Sequence, residues 1–329
     1  MNRLKTIAST SVAAIALATA VNAQAQNFQL LSSWDRTYDP VTVFADSFMD
    51  EVEARTDGAV TMNLQGPETV HPFEQLSPVS SGVFDLLFTH GAYHLGESGL
   101  VFGMDTVIDD PELRRESGVF DVIDEHYQTQ HNQKLLGVFS AASGYHIMLR
   151  EPLEPGERLD GKRIRASGTY HNLVTNLGGD TVTLPASDIY SALERGVVDG
   201  AAWPVFGALS YGWYEVAGYM TRPMFGTNNH TLLMNLDSWN SLDEATQDIL
   251  IEVAREIEID GRRQFEEIWD EEEAELMERG MQPTYFDDDV AEQLNRLFGE
   301  GVWEQVTDAA GADGENLHQF VRDNDLLQD

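Results

Sequence analysis

No cysteine occurs anywhere in the 329 residues. That removes disulfide frameworks and cysteine nucleophiles together, and leaves an α/β body held by its apolar core. Lysine is almost as scarce: Lys5, Lys134 and Lys162 are the whole complement. Acidic residues number 56 against 20 Lys plus Arg, for a formal charge of −36. A surface that negative repels nucleic acid and anionic membranes, so neither is an expected partner. The acids are spread along the chain. They read as a solvated surface suited to salty surroundings, where screening lengths are short, or as a partner-binding surface. Under both readings an anion-binding pocket on this protein needs a specific local cation.

Long apolar runs are missing as well. No segment after residue 25 reaches the roughly 18 apolar residues that a membrane span needs. The N-terminus carries Arg3 and Lys5, then the small-residue apolar stretch Thr10 to Ala20. Val21-Asn22-Ala23 and Ala23-Gln24-Ala25 both fit small-x-small cleavage sites. Residues 1–25 therefore read as a secretory signal, cleaved near Ala23 or Ala25, and the expected location is the periplasm. The remainder, about 300 residues, is long enough for two domains.

Fingerprints of catalysis are lacking: there is no G-x-S-x-G elbow, P-loop or G-x-G-x-x-G run. His90 and His94 stand four apart, but without the glutamate of a zinc-protease helix. The expectation is a protein that is not an enzyme, with a secreted hydrolase as the rival class.

What the chain does contain is strands alternating with helices, the mark of βαβ units and a largely parallel sheet. Phe28 to Trp34, Ala59 to Leu64 and Val83 to Phe88 read as strands, with helices over Pro40 to Arg55 and Phe73 to Gly82. Leu135 to Phe139 and Ile147 to Leu149 are further strands. Ile164 to Ala166, His171 to Asn176 and Thr181 to Leu184 repeat strand, helix, strand, and Thr231 to Asn235 returns toward the first part. Asp243 to Arg279 is one long helical pattern, with Asp243 or Ser241 as cap, Gly261 as a bend and Gly280 as stop.

The most specific stretches are Leu159-Asp160-Gly161-Lys162-Arg163-Ile164-Arg165 and Thr183-Leu184-Pro185 through Ser187-Asp188-Ile189-Tyr190 to Gly196-Val197-Val198-Asp199-Gly200. Together with the aromatic-rich helix expected to follow, they resemble the DctP-type receptors of tripartite ATP-independent periplasmic (TRAP) transporters. The resemblance is close through Leu159 to Pro223 and looser over most of the remaining chain. It implies an α/β fold of two lobes, with crossing hinge strands and a long lobe-spanning helix. The expected division is 26–147 plus 230–275 for lobe I, and 148–229 plus 276–329 for lobe II. It also implies capture of a small organic carboxylate by a monomer, and delivery to membrane permease subunits.

In that family an arginine clamps the ligand carboxylate, and the matching position is Arg165. Its planar fork stays charged when desolvated and fits a carboxylate; pairing with Asp180 or Asp188 is the alternative. Two departures stand out. Where many relatives place a second arginine this chain has Ser143-Gly144-Tyr145-His146, and where many place an asparagine it has Trp203. A more aromatic, less cationic site favours a monocarboxylate with an apolar or aromatic body. Tyr145, His146, Asn228, Asn229 and Phe225 join Arg165 and Trp203 as candidate ligand-binding residues. Trp34, Glu68, Phe73, Thr89, His90 and Tyr93 are first-lobe candidates, because loops after strands line the crevice of open α/β sheets. Another branch of the family holds 2-oxo or 2-hydroxy acids with a bound cation. Asn228 and Asn229 offer neutral oxygens only, so a ligand-bridging cation, and with it a cation-assisted or sugar-acid receptor, is the less favoured alternative. No cofactor and no protein-held metal are expected.

Overall fold

The structure, a computed structural model, describes residues 25–328. The secretory-signal reading of residues 1–25 lies outside them except for Ala25.

The first half runs β1 (Gln26–Ser32), a π-helical turn (Val41–Asp46) continuing into α1 (Ser47–Arg55), β2 (Val60–Gln65), α2 (Leu76–Ser80), β3 (Leu86–Thr89), α3 (Pro111–Glu116), α4 (Val119–His131) and β4 (Gln133–Ser140). The second runs β5 (Tyr145–Leu149), β6 (Arg163–Arg165), α5 (Gly168–Asn176), β7 (Asp180–Val182), α6 (Ala186–Glu194), β8 (Gly200–Pro204) and β9 (Tyr219–Arg222). The chain returns through β10 (Asn229–Asn235), α7 (Leu236–Asn240) and α8 (Glu244–Glu278). It ends with β11 (Gln282–Tyr285), α9 (Asp288–Ala291), α10 (Leu294–Ala310) and α11 (Ala312–Asp323).

These strands form two sheets, ordered β2-β1-β3-β10-β4 and β11-β9-β5-β8-β6-β7. In each, a parallel set built by βαβ crossovers meets antiparallel partners: β1 pairs β2 and β3 in parallel, while β10 opposes β3 and β4. Leu30, Leu31 and the whole of β10 are buried, as expected of strands covered on both faces.

Three connections join the halves. Residues 141–144 carry the chain out of β4 into β5, and residues 223–228 carry it back from β9 to β10. The two segments bond to each other: Ala141 N to Asn228 O (3.0 Å), Asn228 N to Ser143 O (2.9 Å), and Tyr145 and Phe225 reciprocally at 2.8 and 3.0 Å. Gly144 permits this approach, since a Cβ there would stand 2.7 Å from the Phe225 carbonyl oxygen. The third connection is α8. Asp243 caps it by accepting the Thr246 N–H at 2.8 Å. The helix packs on α1 and β4 of the first half. Farther along, Glu272 accepts the backbone N–H groups of Gly207 and Leu209, both at 2.8 Å, in the second half.

Several expectations are corrected. α8 runs unbroken through Gly261; a Cβ there would meet the Phe44 ring at 2.5 Å, so this glycine serves close packing. Val83 to Asp85 form a turn, and only Leu86 onward pairs as strand. The aromatic-rich segment after Trp203 is no helix beyond the 3₁₀ turn Trp213–Glu215, because Gly207 (φ 94°) and Gly212 (φ 71°) turn the backbone left-handed. β5, which begins at Tyr145, belongs to the second sheet. Residues 294–323 pack on both halves, α10 against α5 and α11 against α4.

Candidate functional site

Between the two sheets lies a narrow space of about 10 Å3. Trp34, Tyr38, His90 and Tyr93 line it from the first half, Ser167, Thr169, Tyr170, Trp203 and Pro204 from the second, and Tyr145 and Asn228 where the crossing segments meet the sheets. Seven of the eleven follow the end of a strand, where an open α/β sheet gathers its ligand loops, and Trp203 and Pro204 close β8.

Arg165 ends β6 and is 0% exposed. Nε donates to the Leu184 carbonyl (2.8 Å) and Nη1 to the Ala202 carbonyl (3.2 Å). The guanidinium carbon lies 4.9 Å from the centre of the Trp203 ring. Nη2 has no partner. One hydrogen on Nη1 and both on Nη2 are therefore uncommitted, the parallel pair that grips a carboxylate end-on. Neither Asp180 nor Asp188 supplies the counter-charge: the arginine that Asp180 faces in register is Arg163, whose guanidinium bonds to Asp199.

Three more buried donors around this space lack an acceptor: Trp34 Nε1, Trp203 Nε1 and Asn228 Nδ2. The Tyr93 hydroxyl sits close enough to Trp34 and Arg165, and the Tyr38 hydroxyl to Asn228, to have its pKa lowered by them, yet none of these contacts completes a hydrogen bond. Burial outweighs that influence and raises both phenols, along with Tyr145 and Tyr170, so all four are neutral. The N-terminus of α5 adds a positive dipole end through Ser167 and Thr169. Buried donors without acceptors are rare because each costs about 1–3 kcal/mol. Three on the walls of one cavity, with the Arg165 fork beside Trp203, call for a ligand rich in acceptor oxygens.

Behind this wall stands a polar network. Asp105, 1% exposed, accepts from the Tyr145 hydroxyl (2.7 Å), His90 Nε2 (3.0 Å) and Asn229 Nδ2 (3.1 Å). His90 Nδ1 accepts the Ala92 N–H at 3.1 Å, which fixes the ring proton on Nε2. Buried Arg114 donates to Asn229 Oδ1 at 2.7 Å.

Of the residues singled out from sequence, Trp203, Tyr145, His90, Asn228, Tyr93 and Trp34 line the space, with Arg165 against Trp203. The others stand elsewhere. Strand alternation turns His146 away from Tyr145 toward Arg222, 3.3 Å away, and burial lowers its pKa to about 3. Asn229 likewise points opposite to Asn228, into the Asp105 network. Phe225 packs on Phe298, and Phe73 sits edge-on behind Tyr93. Thr89 is tied to Ser33 and His94 at 2.7 and 2.9 Å, and Glu68 is exposed. His90 has both ring nitrogens committed to the protein, so it orients the wall and has no hydrogen bond left for a ligand. Tyr38, Ser167, Thr169, Tyr170 and Pro204 line the space without having been singled out. The strand-end rule that nominates Trp34 also covers Tyr38, and applied to the strand that ends at Arg165 it covers Ser167 to Tyr170.

Two sheets joined by paired crossing strands and a long helix, with a buried arginine at the cleft between them, define a two-lobed ligand-enclosing receptor. The chain belongs to the DctP family of bacterial extracellular solute-binding proteins, family 7, whose model matches residues 31–307. Among its relatives is the ectoine-binding periplasmic protein TeaA of Halomonas elongata, 23% identical over 266 residues, covering 77% of this chain and 76% of that protein. Two solved structures share the fold. A TRAP periplasmic solute-binding protein from Desulfovibrio salexigens with bound orotic acid has a TM-score of 0.79 at 18% identity, covering 90% of this chain and 97% of that one. A TRAP transporter solute-binding protein from Bordetella bronchiseptica RB50, with calcium and picolinate, has a TM-score of 0.81 at 19% identity, covering 91% and 93%.

Proposed function

We propose that this chain is the extracytoplasmic receptor of a TRAP transporter, closing as a monomer on one small monocarboxylate whose body lies among aromatic rings. The observation that carries the reading is the set of four buried donors without acceptors, headed by Arg165 Nη2. A carboxylate supplies the acceptors that they lack. Family membership supports export to the periplasm and delivery to permease subunits; among the described residues no helix is long and apolar enough to cross a membrane.

A cation-assisted site is the second reading, favoured by the calcium and picolinate in the Bordetella protein. Against it, no Asp or Glu lines this space, and Asp105 spends its oxygens on Tyr145, His90 and Asn229. A hydrolase reading could point to Ser98, His126 and Asp313, which line up at 3.1 and 2.7 Å. Ser98 is 1% exposed, however, so no substrate carbonyl reaches it. This line ties the loop before residue 100, α4 and α11 together.

The test is a melting-shift screen of monocarboxylates, dicarboxylates and sugar acids, with and without chelator, followed by calorimetry and mass analysis of the recovered ligand. Expected is one-to-one binding of an unchanged monocarboxylate, insensitive to chelator and stabilising by about 2–4 kcal/mol at 100 to 1,000 times Kd. Failure of every carboxylate to stabilise the protein would overturn the reading.

A further inference from the structure

We infer that the solute is a zwitterion: a small carboxylate whose body carries a quaternary or delocalised nitrogen cation, with the carboxylate on Arg165 and the cation enclosed by the aromatic walls. This rests on the carboxylate reading and adds a second pole to it.

The wall composition is the first observation. Six of the residues around the space are Trp or Tyr (Trp34, Tyr38, Tyr93, Tyr145, Tyr170 and Trp203), and none is Leu, Ile, Val, Met or Phe. An apolar body needs only apolar lining, which aliphatic side chains supply as well. Electron-rich indole and phenol rings add a negative quadrupole that attracts cations, most strongly for Trp.

Ring geometry is the second. Within this wall Trp34 meets Tyr38 at 43° and Tyr93 at 48°, Tyr38 meets Trp203 at 65°, and Tyr145 meets Tyr170 at 82°. No two of these neighbours are parallel. A flat aromatic acid wants a slot between parallel faces; inclined rings make a box, which suits a rounded cationic head.

The third is the charge distribution. Arg165 comes from the second half of the molecule, and Asp105 from the first. The Tyr145 hydroxyl donates to Asp105 at 2.7 Å, which pushes electron density back into its ring. The space therefore lies between a buried cation and a buried carboxylate. A formal charge of −36 also opposes the approach of an anion, but not of a molecule with no net charge.

Two matched pairs of probes test this by calorimetry on the mature protein. Trimethylglycine and 3,3-dimethylbutyrate share shape and carboxylate and differ only in nitrogen for carbon; N-carboxymethylpyridinium and phenylacetate differ likewise. Expected is binding of the cationic member of at least one pair about tenfold or more tighter than its neutral twin, with the neutral member favoured in neither. Trp34→Leu, which keeps an apolar wall, should erase most of that difference. Equal or tighter binding of the neutral twins would overturn the zwitterion and leave the carboxylate reading standing. Binding of other carboxylates but none of the four probes would also overturn it. Silence from every carboxylate in the wider screen would instead sink the reading beneath it.

Discussion

Arg165 and Trp203 stand on neighbouring parallel strands, with the guanidinium carbon 4.9 Å from the indole centre and Arg165 paired in register with Ala201, two residues before the tryptophan. The ring shields one side of a buried cation, while two backbone carbonyls fix its orientation without neutralising it. The charge is left for a ligand.

Arg165→Ala should therefore abolish carboxylate binding, at a cost of about 3–5 kcal/mol, by stranding the ligand's charge in a dry cleft. Arg165→Lys, which keeps the charge and loses the fork, should fall between the two. Calorimetry on variants with unchanged circular dichroism checks this; undiminished binding by the alanine variant would refute the assignment.

Trp203→Asn removes one of the two indole rings from the wall. Expected are a lower melting temperature and a ligand ranking shifted toward more polar acids. An unchanged ranking in the melting-shift screen would count against Trp203 as a shape determinant.

Asp105→Asn takes the charge from a carboxylate accepting three hydrogen bonds. Its new amide group faces donors on His90 and Tyr145, so we expect a loss of about 2–4 kcal/mol in stability and weaker ligand binding. Denaturant unfolding with and without ligand reads both. Wild-type values would show the network to be dispensable.

Glu272 links pH to the loop after β8. Burial raises its carboxyl to about 7, outweighing the backbone N–H groups that favour the charged form. In the unfolded chain the group titrates near its ordinary value, 4.5. Below that pH the group is protonated in both states and its favourable contribution is complete. As pH rises toward 7 the unfolded chain releases the proton first, so stability falls by about 3 kcal/mol across this window. Glu272→Gln lacks that slope. Unfolding curves at successive pH values should show the variant gaining on the wild type between about pH 4 and 8; parallel curves would contradict the assignment.

Gly144→Ala places a methyl group 2.7 Å from the Phe225 carbonyl and 2.8 Å from that of Gly226. Backbone on both sides cannot yield cheaply, so a loss of about 1–3 kcal/mol is expected. Small-angle scattering with and without ligand should also show altered closure. An unperturbed variant would mean that the crossings tolerate separation.

Much of this was legible in the residues. The apolar run of β10, the period of α8 and the Asp243 cap are local signals, and the structure keeps them. Arg165 was legible through the resemblance of residues 159–200 to the DctP family, whose clamping arginine falls at this position. Less legible was which face each candidate shows. His146 and Tyr145 are chain neighbours with opposite directions, as are Asn228 and Asn229, and only the pairing of the crossing segments sets that phase. Tyr38 and Tyr170 reach one cavity from residues 132 positions apart, a proximity that no local window reveals. α3 was not anticipated, although the Asp110 side chain caps it by accepting the Leu113 N–H at 2.9 Å and Pro111 opens it. Residues 95–131 otherwise lack the alternation that marks the sheets.

The crossings at 141–144 and 223–228 are bonded to each other as well as to their sheets. Two independent tethers would let the halves twist, shear and splay separately. A single laced ribbon, backed by one rod, couples those motions into one swing. On the function proposed above, the membrane machinery would meet a binary signal, open or shut, whatever the chemical detail of the cargo.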